Sequence, residues 1–237
     1  MTESGLGPGL EPGRIVIAVD GPSGSGKSTV ARGVARALGV RYLDTGAMYR
    51  AVTWATLQRG LAPTDATAVG DLAATALLEM GTDPSAPTVA IDGADATEAV
   101  RSAPVTAAVS TVSAVPAVRA AMVRRQRELI GDGGIVVEGR DIGTTVAPDA
   151  TLKVYLTADP AARARRRGLE LAGNELDAAT LHQTQADLLR RDAADSGRTS
   201  SPLAQAADAV VVDSTDLGPD DVIARVLDLL AGRGVRV

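Results

Sequence analysis

Gly21-Pro22-Ser23-Gly24-Ser25-Gly26-Lys27-Ser28-Thr29 is a stretch suited to holding phosphate. It satisfies G-x-x-x-x-G-K-[ST] at every fixed position. Glycines at such a turn let backbone N–H groups face inward around phosphate oxygens, where a Cβ would clash. A helix that starts immediately afterwards adds partial positive charge at its N-terminus. Lys27 is expected to reach the β- and γ-phosphates of a nucleotide, and Ser28 to ligate Mg²⁺.

Arginines supply the second chemical signal. Leu43-Asp44-Thr45-Gly46-Ala47-Met48-Tyr49-Arg50 places a hydroxyl and a guanidinium one to two helical turns apart. Glu138-Gly139-Arg140-Asp141 follows an apolar run, and Arg191-Asp192 precedes Asp195 and Arg198. In an open parallel sheet the carboxyl ends of the strands gather at one edge, where ligands bind. Arginines converging there repel one another unless an anion fills the space. The economical anion is the phosphate of a second substrate.

The elements that must position these groups can be read from periodicity and turn signals. Strands are expected at Ile15–Val19, Val40–Asp44, Ile135–Glu138, Thr151–Leu156 and Ala209–Val212. Helices are expected at Val30–Leu38, Gly46–Gln58, Asp65–Met80, Val105–Ser113, Pro116–Ile130, Leu176–Arg191 and Pro219–Leu230. In the third of these, Leu72, Ala76 and Met80 share a face. Asp159 and Pro160 open another helix, bearing Arg163, Arg165, Arg166 and Arg167. Thr88 to Thr97 reads as a hairpin turning at Asp92-Gly93, and Ala194 to Pro202 as a polar loop. Apolar strands each followed by a helix imply an α/β fold: a central parallel sheet with helices on both faces. Residues 14–61 and 116–237 are expected to form its core, with 62–115 as a helix-plus-hairpin insert and 1–13 as a loose tail.

Composition narrows the function classes. Of the 237 residues, 45% are hydrophobic, enough for a sizeable core, but only 2% are aromatic and none is Phe. Base stacking on aromatic platforms is therefore disfavoured. A net charge of −5 argues against a non-specific nucleic-acid or membrane binder. The absence of cysteine excludes disulfides and thiolate chemistry, and fits a reducing compartment. No apolar run reaches membrane-spanning length, and residues 1–13 lack the order of a signal peptide. A cytoplasmic protein acting as a monomer, without nucleic-acid or membrane partners, is expected. A GTP switch is disfavoured too. No Asp has Gly three positions later, and the only Asn, Asn174, is followed by Glu.

With these residues in place, the chain resembles the bacterial cytidylate kinases of the nucleoside monophosphate kinase superfamily. The stretches that carry the resemblance are Val19 to Ser28, Leu43 to Arg50, Val118-Arg119 with Arg124-Arg125-Gln126-Arg127, Gly139 to Thr144, and Arg191 to Arg198 with Ala206-Ala207-Asp208. They run in family order from about residue 15 to the last helix. The insert at 62–115 resembles the family's enlarged monophosphate-binding region, and the arginine run of 163–167 its closing lid, about residues 160–200.

The resemblance implies transfer of phosphate from ATP to CMP, and to dCMP, with Mg²⁺. ATP would lie on Gly21, Pro22, Ser23, Gly24, Ser25, Gly26, Lys27, Ser28 and Thr29. Thr45, Arg50 and Arg140 would hold the CMP phosphate, and Arg191 with Arg198 would reach the transferring group. Asp195 would bind the ribose, while Ser110, Arg119 and Asp141 would read the base. Lys27, Arg140, Arg191 and Arg198 would be the catalytic set. Glu138 would contact the Mg²⁺ water shell or pair with Lys27, and one or two of the lid arginines would swing over ATP. Ala194 and Ser196 stand where several relatives carry further arginines. Competing readings are a kinase of another small acceptor such as UMP, and a nucleotide-gated binding protein. The acceptor-side arginines disfavour the latter.

Overall fold

Runs of Val and Ile without polar interruption can be buried on both faces, and here they form the strands of a parallel sheet. The computed structural model describes residues 11–172 and 177–236. In chain order its elements are β1 (Val16–Asp20), α1 (Lys27–Leu38), β2 (Arg41–Asp44), α2 (Thr45–Gln58), α3 (Ala66–Thr75), β3 (Leu78–Met80), β4 (Val89–Ile91), β5 (Ala94–Asp95), α4 (Ala103–Ala114), α5 (Pro116–Ile130), β6 (Ile135–Gly139), β7 (Leu152–Thr157), α6 (Pro160–Ala172), α7 (Ala178–Ser196), β8 (Val210–Asp213) and α8 (Pro219–Ala231). The main sheet has the order β2-β6-β1-β7-β8, and all its neighbours are parallel.

Helices cover both faces, as expected. On one face Val30 and Val34 of α1 meet Val222, Val226 and Leu230 of α8 over Val19 and Leu156. On the other, Met48 of α2 and Val118 and Met122 of α5 pack over Leu43 and Val137. Each fully buried Leu, Val or Met contributes about 1.5–3 kcal/mol, so these two layers hold the sheet without aromatic bulk. Asp44, Asp65, Asp159 and Asp177 each accept an N–H from the first turn of α2, α3, α6 and α7, a cap worth about 1 kcal/mol.

Between α2 and α4 lies a second, antiparallel sheet of β3, β4 and β5. Asp92 and Gly93 turn it with φ of 51° and 77°, the left-handed pair of a tight hairpin. The expected helix Asp65–Met80 is corrected here. It stops at Thr75, and Met80 lies on β3, paired with Val89. Leu72, Ala76 and Met80 do share one apolar cluster, so the spacing located the buried face but not the backbone.

Two other boundaries differ. Leu176, the expected start of the penultimate helix, lies outside the described residues, as do residues 1–10 of the expected tail. Pro12–Arg14 form a 3₁₀ turn rather than loose chain. The helix expected to end at Arg191 continues to Ser196, because no Gly or Pro interrupts it before Gly197. Ala194 to Ser196 are therefore helical, and Arg191 and Asp195 sit one turn apart on α7. A single π-helical turn at Ile142–Val146 was not foreseen. No single helix among the described residues is long and apolar enough to cross a membrane; α4 and α5 pass only jointly and are bent by 95°.

Candidate active site

The phosphate loop joins β1 to α1. Gly26 stands before the first helical residue at φ 91°, a conformation that favours glycine. A Cβ on Gly21 would lie 2.0 Å from the carbonyl oxygen of Leu156, so β7 packs against the loop with no room for a side chain. Lys27 is buried, and its Nζ donates to the Pro22 carbonyl at 2.7 Å, which closes the loop on itself. Ser25 is fully buried with its backbone carbonyl accepting from Ser214 Oγ at 3.1 Å.

A cavity of about 760 Å³ opens beside the loop at the carboxyl ends of β2 and β6. Ser23, Gly24, Gly26, Lys27, Ser28 and Thr29 line one end. Thr45, Arg50, Ser110, Arg119, Arg140, Asp141, Arg191, Asp195 and Arg198 all line the remainder. Gly21, Pro22 and Ser25 do not face it; they shape the loop from behind. The tertiary structure thus brings every expected substrate-side residue to one space, although they span positions 45 to 198.

The cations in this space depress one another. Burial, and after it Arg191 across the cavity, pulls Arg50 down to about 10. Arg191 is lowered by burial and then by Arg140. Arg198 is lowered by burial, with Arg119 and Arg140 adding to it against Asp195. Burial and Arg140 also lower Lys27, opposed by Glu138, Asp192 and Asp20. Such mutual repulsion costs stability, and a bound polyanion relieves it.

Three carboxylates order the guanidinium groups. Asp195 accepts from Arg140 Nε at 3.1 Å and forms an ion pair with Arg198. Arg198 also donates to Ser113 Oγ at 2.9 Å. Asp141 accepts from Arg119 Nη2 at 2.5 Å, with both side chains almost entirely buried. Arg119 lies over the ring of Tyr49, 5.2 Å from its centroid. Asp20, at the end of β1, accepts Ile142 N–H at 2.9 Å and Gly143 N–H at 2.8 Å. It thereby pins the turn that carries Arg140 and Asp141 to the root of the phosphate loop.

Burial outweighs those two N–H donors and raises Asp20 to about 6. The folded state therefore binds a proton more tightly than the unfolded chain does, and stability falls as pH rises through the window from about 4 to 6. Asp20→Asn removes the titration. Relative to this variant, the wild type is expected to lose about 2 kcal/mol between pH 4 and pH 7, measured by urea unfolding across that range.

The structure decides several contacts that the sequence left open. Glu138 accepts from the Tyr42 hydroxyl and makes no ion pair with Lys27 among the described residues. Arg163 does not reach into the cavity; its Nη1 donates to the Ser23 carbonyl at 3.0 Å and it pairs with Asp192. Arg166 donates to Ser214 Oγ at 2.9 Å, Arg165 is exposed, and Arg167 alone of the run lines the cavity. Arg127 donates to the Val146 carbonyl at 3.1 Å and Arg125 to the Ala76 carbonyl at 2.5 Å, so both are tied to neighbouring backbone. Sequence reading gave no role to Tyr49, Ser113, Asp20 or Asp192. An uncharged residue within a helix gives no local signal of a cavity wall. Asp20 and Asp192, however, lie within the quoted stretches Val19 to Ser28 and Arg191 to Arg198, where a carboxylate among phosphate-binding groups is itself a signal.

Comparison with known proteins extends the match beyond the site. A family profile described as cytidylate kinase matches residues 17–231. A cytidylate kinase of Streptomyces griseus is 51% identical over 223 residues, 93% of this chain and 94% of that one. One of Rhodococcus jostii is 50% identical over 228 residues, 94% and 98% of the two chains. A bifunctional pantoate ligase/cytidylate kinase of Synechococcus is 49% identical over 215 residues, 90% of this chain but 42% of that longer protein. Among solved structures, an uncharacterized protein of Eubacterium ventriosum shares the fold at TM-score 0.50 and 11% identity, over 92% of this chain and 98% of that one. Identity at half of all positions, sustained from the first strand to the last helix, is the mark of descent as a whole domain, and the chain belongs to the cytidylate kinase family.

Proposed function

We propose that the protein transfers the γ-phosphate of ATP to CMP, and to dCMP, giving ADP and CDP or dCDP. The observation that carries this reading is one continuous cavity running from Lys27 to the buried Arg119–Asp141 pair. ATP rests its phosphates on the loop of residues 21–29. A CMP phosphate oxygen attacks the γ-phosphorus, the bond to the β-bridging oxygen breaks, and ADP leaves. That oxygen is already an anionic nucleophile, so no general base is required. Catalysis is positioning and charge stabilisation, supplied by Lys27, Arg140, Arg191 and Arg198. Thr45 and Arg50 help to hold the acceptor phosphate. Residues 62–115 act as the monophosphate-binding insert on the core of 14–61 and 116–237, and 160–200 as the lid.

Cytosine offers an N4 donor beside N3 and O2 acceptors, which suits a carboxylate next to a guanidinium. Ser110, Arg119 and Asp141 line that end of the cavity. Asp195 already accepts from Arg140 and Arg198, so losing a hydrogen bond from the ribose 2′-hydroxyl leaves it paired, which supports use of dCMP as well. All these groups belong to one chain, so the site is complete in a monomer.

Mg²⁺ fits at Ser28. Ser28, in the first turn of α1, lines the cavity together with Glu138 and Asp44. No cluster of three or more His, Cys, Asp or Glu side chains is placed to hold a metal among the described residues. That suits an ion bound through one hydroxyl, water and substrate phosphates. When bound, the ion neutralises charge on the phosphates.

The test is ADP release with CMP, dCMP, UMP and AMP as acceptors. CMP and dCMP are expected to exceed UMP in kcat/KM by roughly 100-fold or more. Equal rates with all four would refute the acceptor assignment, and ATP binding without transfer to any would make the protein a nucleotide-gated binder.

A further inference from the structure

All three polar groups of Ser23 are engaged, each by a different part of the chain. Its N–H donates to Asp192 Oδ1 at 3.0 Å. Its carbonyl accepts from Arg163 Nη1 at 3.0 Å. Its hydroxyl accepts from Arg140 Nη2 at 2.7 Å. Arg163 and Asp192 also pair with each other, which closes a ring around the backbone of one residue. Position 23 is one of the unspecified positions in the phosphate-loop pattern, so the pattern does not account for these contacts.

The ring joins three elements. Arg163 lies in the first turn of α6, Asp192 in the last turns of α7, and Ser23 in the loop that cradles the donor phosphates. The Arg163 and Asp192 side chains are only 7% and 15% exposed, so solvent screens their attraction weakly. Hydrogen bonds between ionised partners, or from a backbone N–H to a carboxylate, are stronger and more directional than neutral ones. Asp192 therefore ties α7 to the donor loop. Its neighbour Arg191 points about 100° away around the helix and lines the cavity, as does Asp195 one turn on.

We propose that Asp192, with Arg163, is a positioning residue for phosphoryl transfer. The pair sets the distance between the donor phosphate loop and the acceptor-side groups Arg191, Asp195 and Arg198. It touches neither substrate and acts through Ser23 and α7. The proposal rests on the reading of the site as a phosphotransferase centre. In-line transfer between two phosphates is sensitive to this distance, and a displacement of about 1 Å costs on the order of 100-fold in rate. Substrate affinity is less sensitive. ATP still meets the loop amides, and the base still meets Arg119 and Asp141.

The experiment is steady-state kinetics on the full chain for wild type, Asp192→Ala, Asp192→Asn, Arg163→Ala and the Asp192→Ala/Arg163→Ala double variant, with urea unfolding of each. The acceptor is whichever monophosphate the wild type uses best, so a wrong acceptor assignment shows in the wild type alone and leaves this test intact. Asp192→Ala is expected to lower kcat about 100-fold with KM for both substrates within about threefold of wild type. Asp192→Asn keeps an acceptor for Ser23 N–H but loses the charge, so it is expected to fall in between; it also serves if the alanine variant does not fold. The double variant is expected to be no slower than the slower single variant, because both side chains act on one peptide. Unchanged kcat, a raised KM with kcat intact, or multiplicative losses in the double variant would each overturn the proposal.

Discussion

Lys27→Ala is expected to lower kcat by about 10³-fold with every acceptor alike. The ammonium is buried and bonded to the Pro22 carbonyl at 2.7 Å; on the proposed mechanism it would exchange that carbonyl for phosphate oxygens when ATP binds. Burial and Arg140 make its charge costly to hold, while Glu138, Asp192 and Asp20 support it. An incoming triphosphate adds negative charge and shifts that balance towards the protonated form. On that mechanism the ammonium would meet the charge spread over the transferring group, where removal of one preorganised donor typically costs 10²–10³-fold. Because the loss falls on the donor side, the ratio of CMP to UMP turnover is expected to stay constant. Lys27→Met keeps most of the volume and removes the desolvated cation. Its melting temperature is expected not to fall below that of wild type, while its activity falls with that of the alanine variant. Coupled ADP assays and thermal unfolding on the same preparations check both. Retained turnover in Lys27→Met would remove Lys27 from the chemistry.

Asp141→Asn is expected to reduce the preference for CMP over UMP by about 100-fold, mainly through kcat/KM for CMP. On the proposed reading of the site the carboxylate would accept the cytosine amino group, whereas uracil presents O4 and N3–H in its place. An amide can turn to serve either base, so discrimination falls while the pocket keeps its shape. Asp141→Ala carries a second, separable effect. Its partner Arg119 has a side chain only 3% exposed, and loss of the carboxylate leaves a buried cation unpaired, at a cost of about 3–5 kcal/mol. Asp141→Ala is thus expected to unfold at lower urea than Asp141→Asn, and CMP to stabilise it less than it stabilises wild type. A substrate ratio unchanged in both variants would take Asp141 out of base reading. The pair Arg119–Asp141 neutralises itself while the cavity holds no base, which allows both groups to be kept charged and buried.

Much of this was legible before any coordinates. The phosphate loop is local: its chemistry depends on consecutive residues, and the turn dictates where glycine must stand. The parallel sheet follows from apolar runs that only burial on both faces can satisfy, and the Asp92-Gly93 hairpin from a dipeptide that adopts left-handed φ readily. Periodicity failed where it reports burial without backbone conformation. Met80 sits in the cluster with Leu72 and Ala76, yet it reaches it from a strand. The arginine run of 163–167 was read as a unit, but neighbouring helical residues point in different directions. Arg163 holds the donor loop, Arg166 the turn after β8, and Arg167 faces the cavity. The continuation of α7 to Ser196 mattered most, because it puts Arg191, Asp192 and Asp195 on one rigid rod.

The order of residues alone pointed to a loop of the phosphate-binding pattern and to arginines gathered near it, because those demands are met by side-chain type and short spacing. Only the tertiary structure decided which carboxylate holds which guanidinium: Asp195 between Arg140 and Arg198, Asp141 against Arg119, Asp192 on Ser23 and Arg163. Apart from Asp195 and Arg198, three positions apart, these partners are separated by 22 to 169 residues and leave no mark in local pattern. Coulomb attraction and hydrogen-bond geometry choose among them once the sheet has brought the strand ends together.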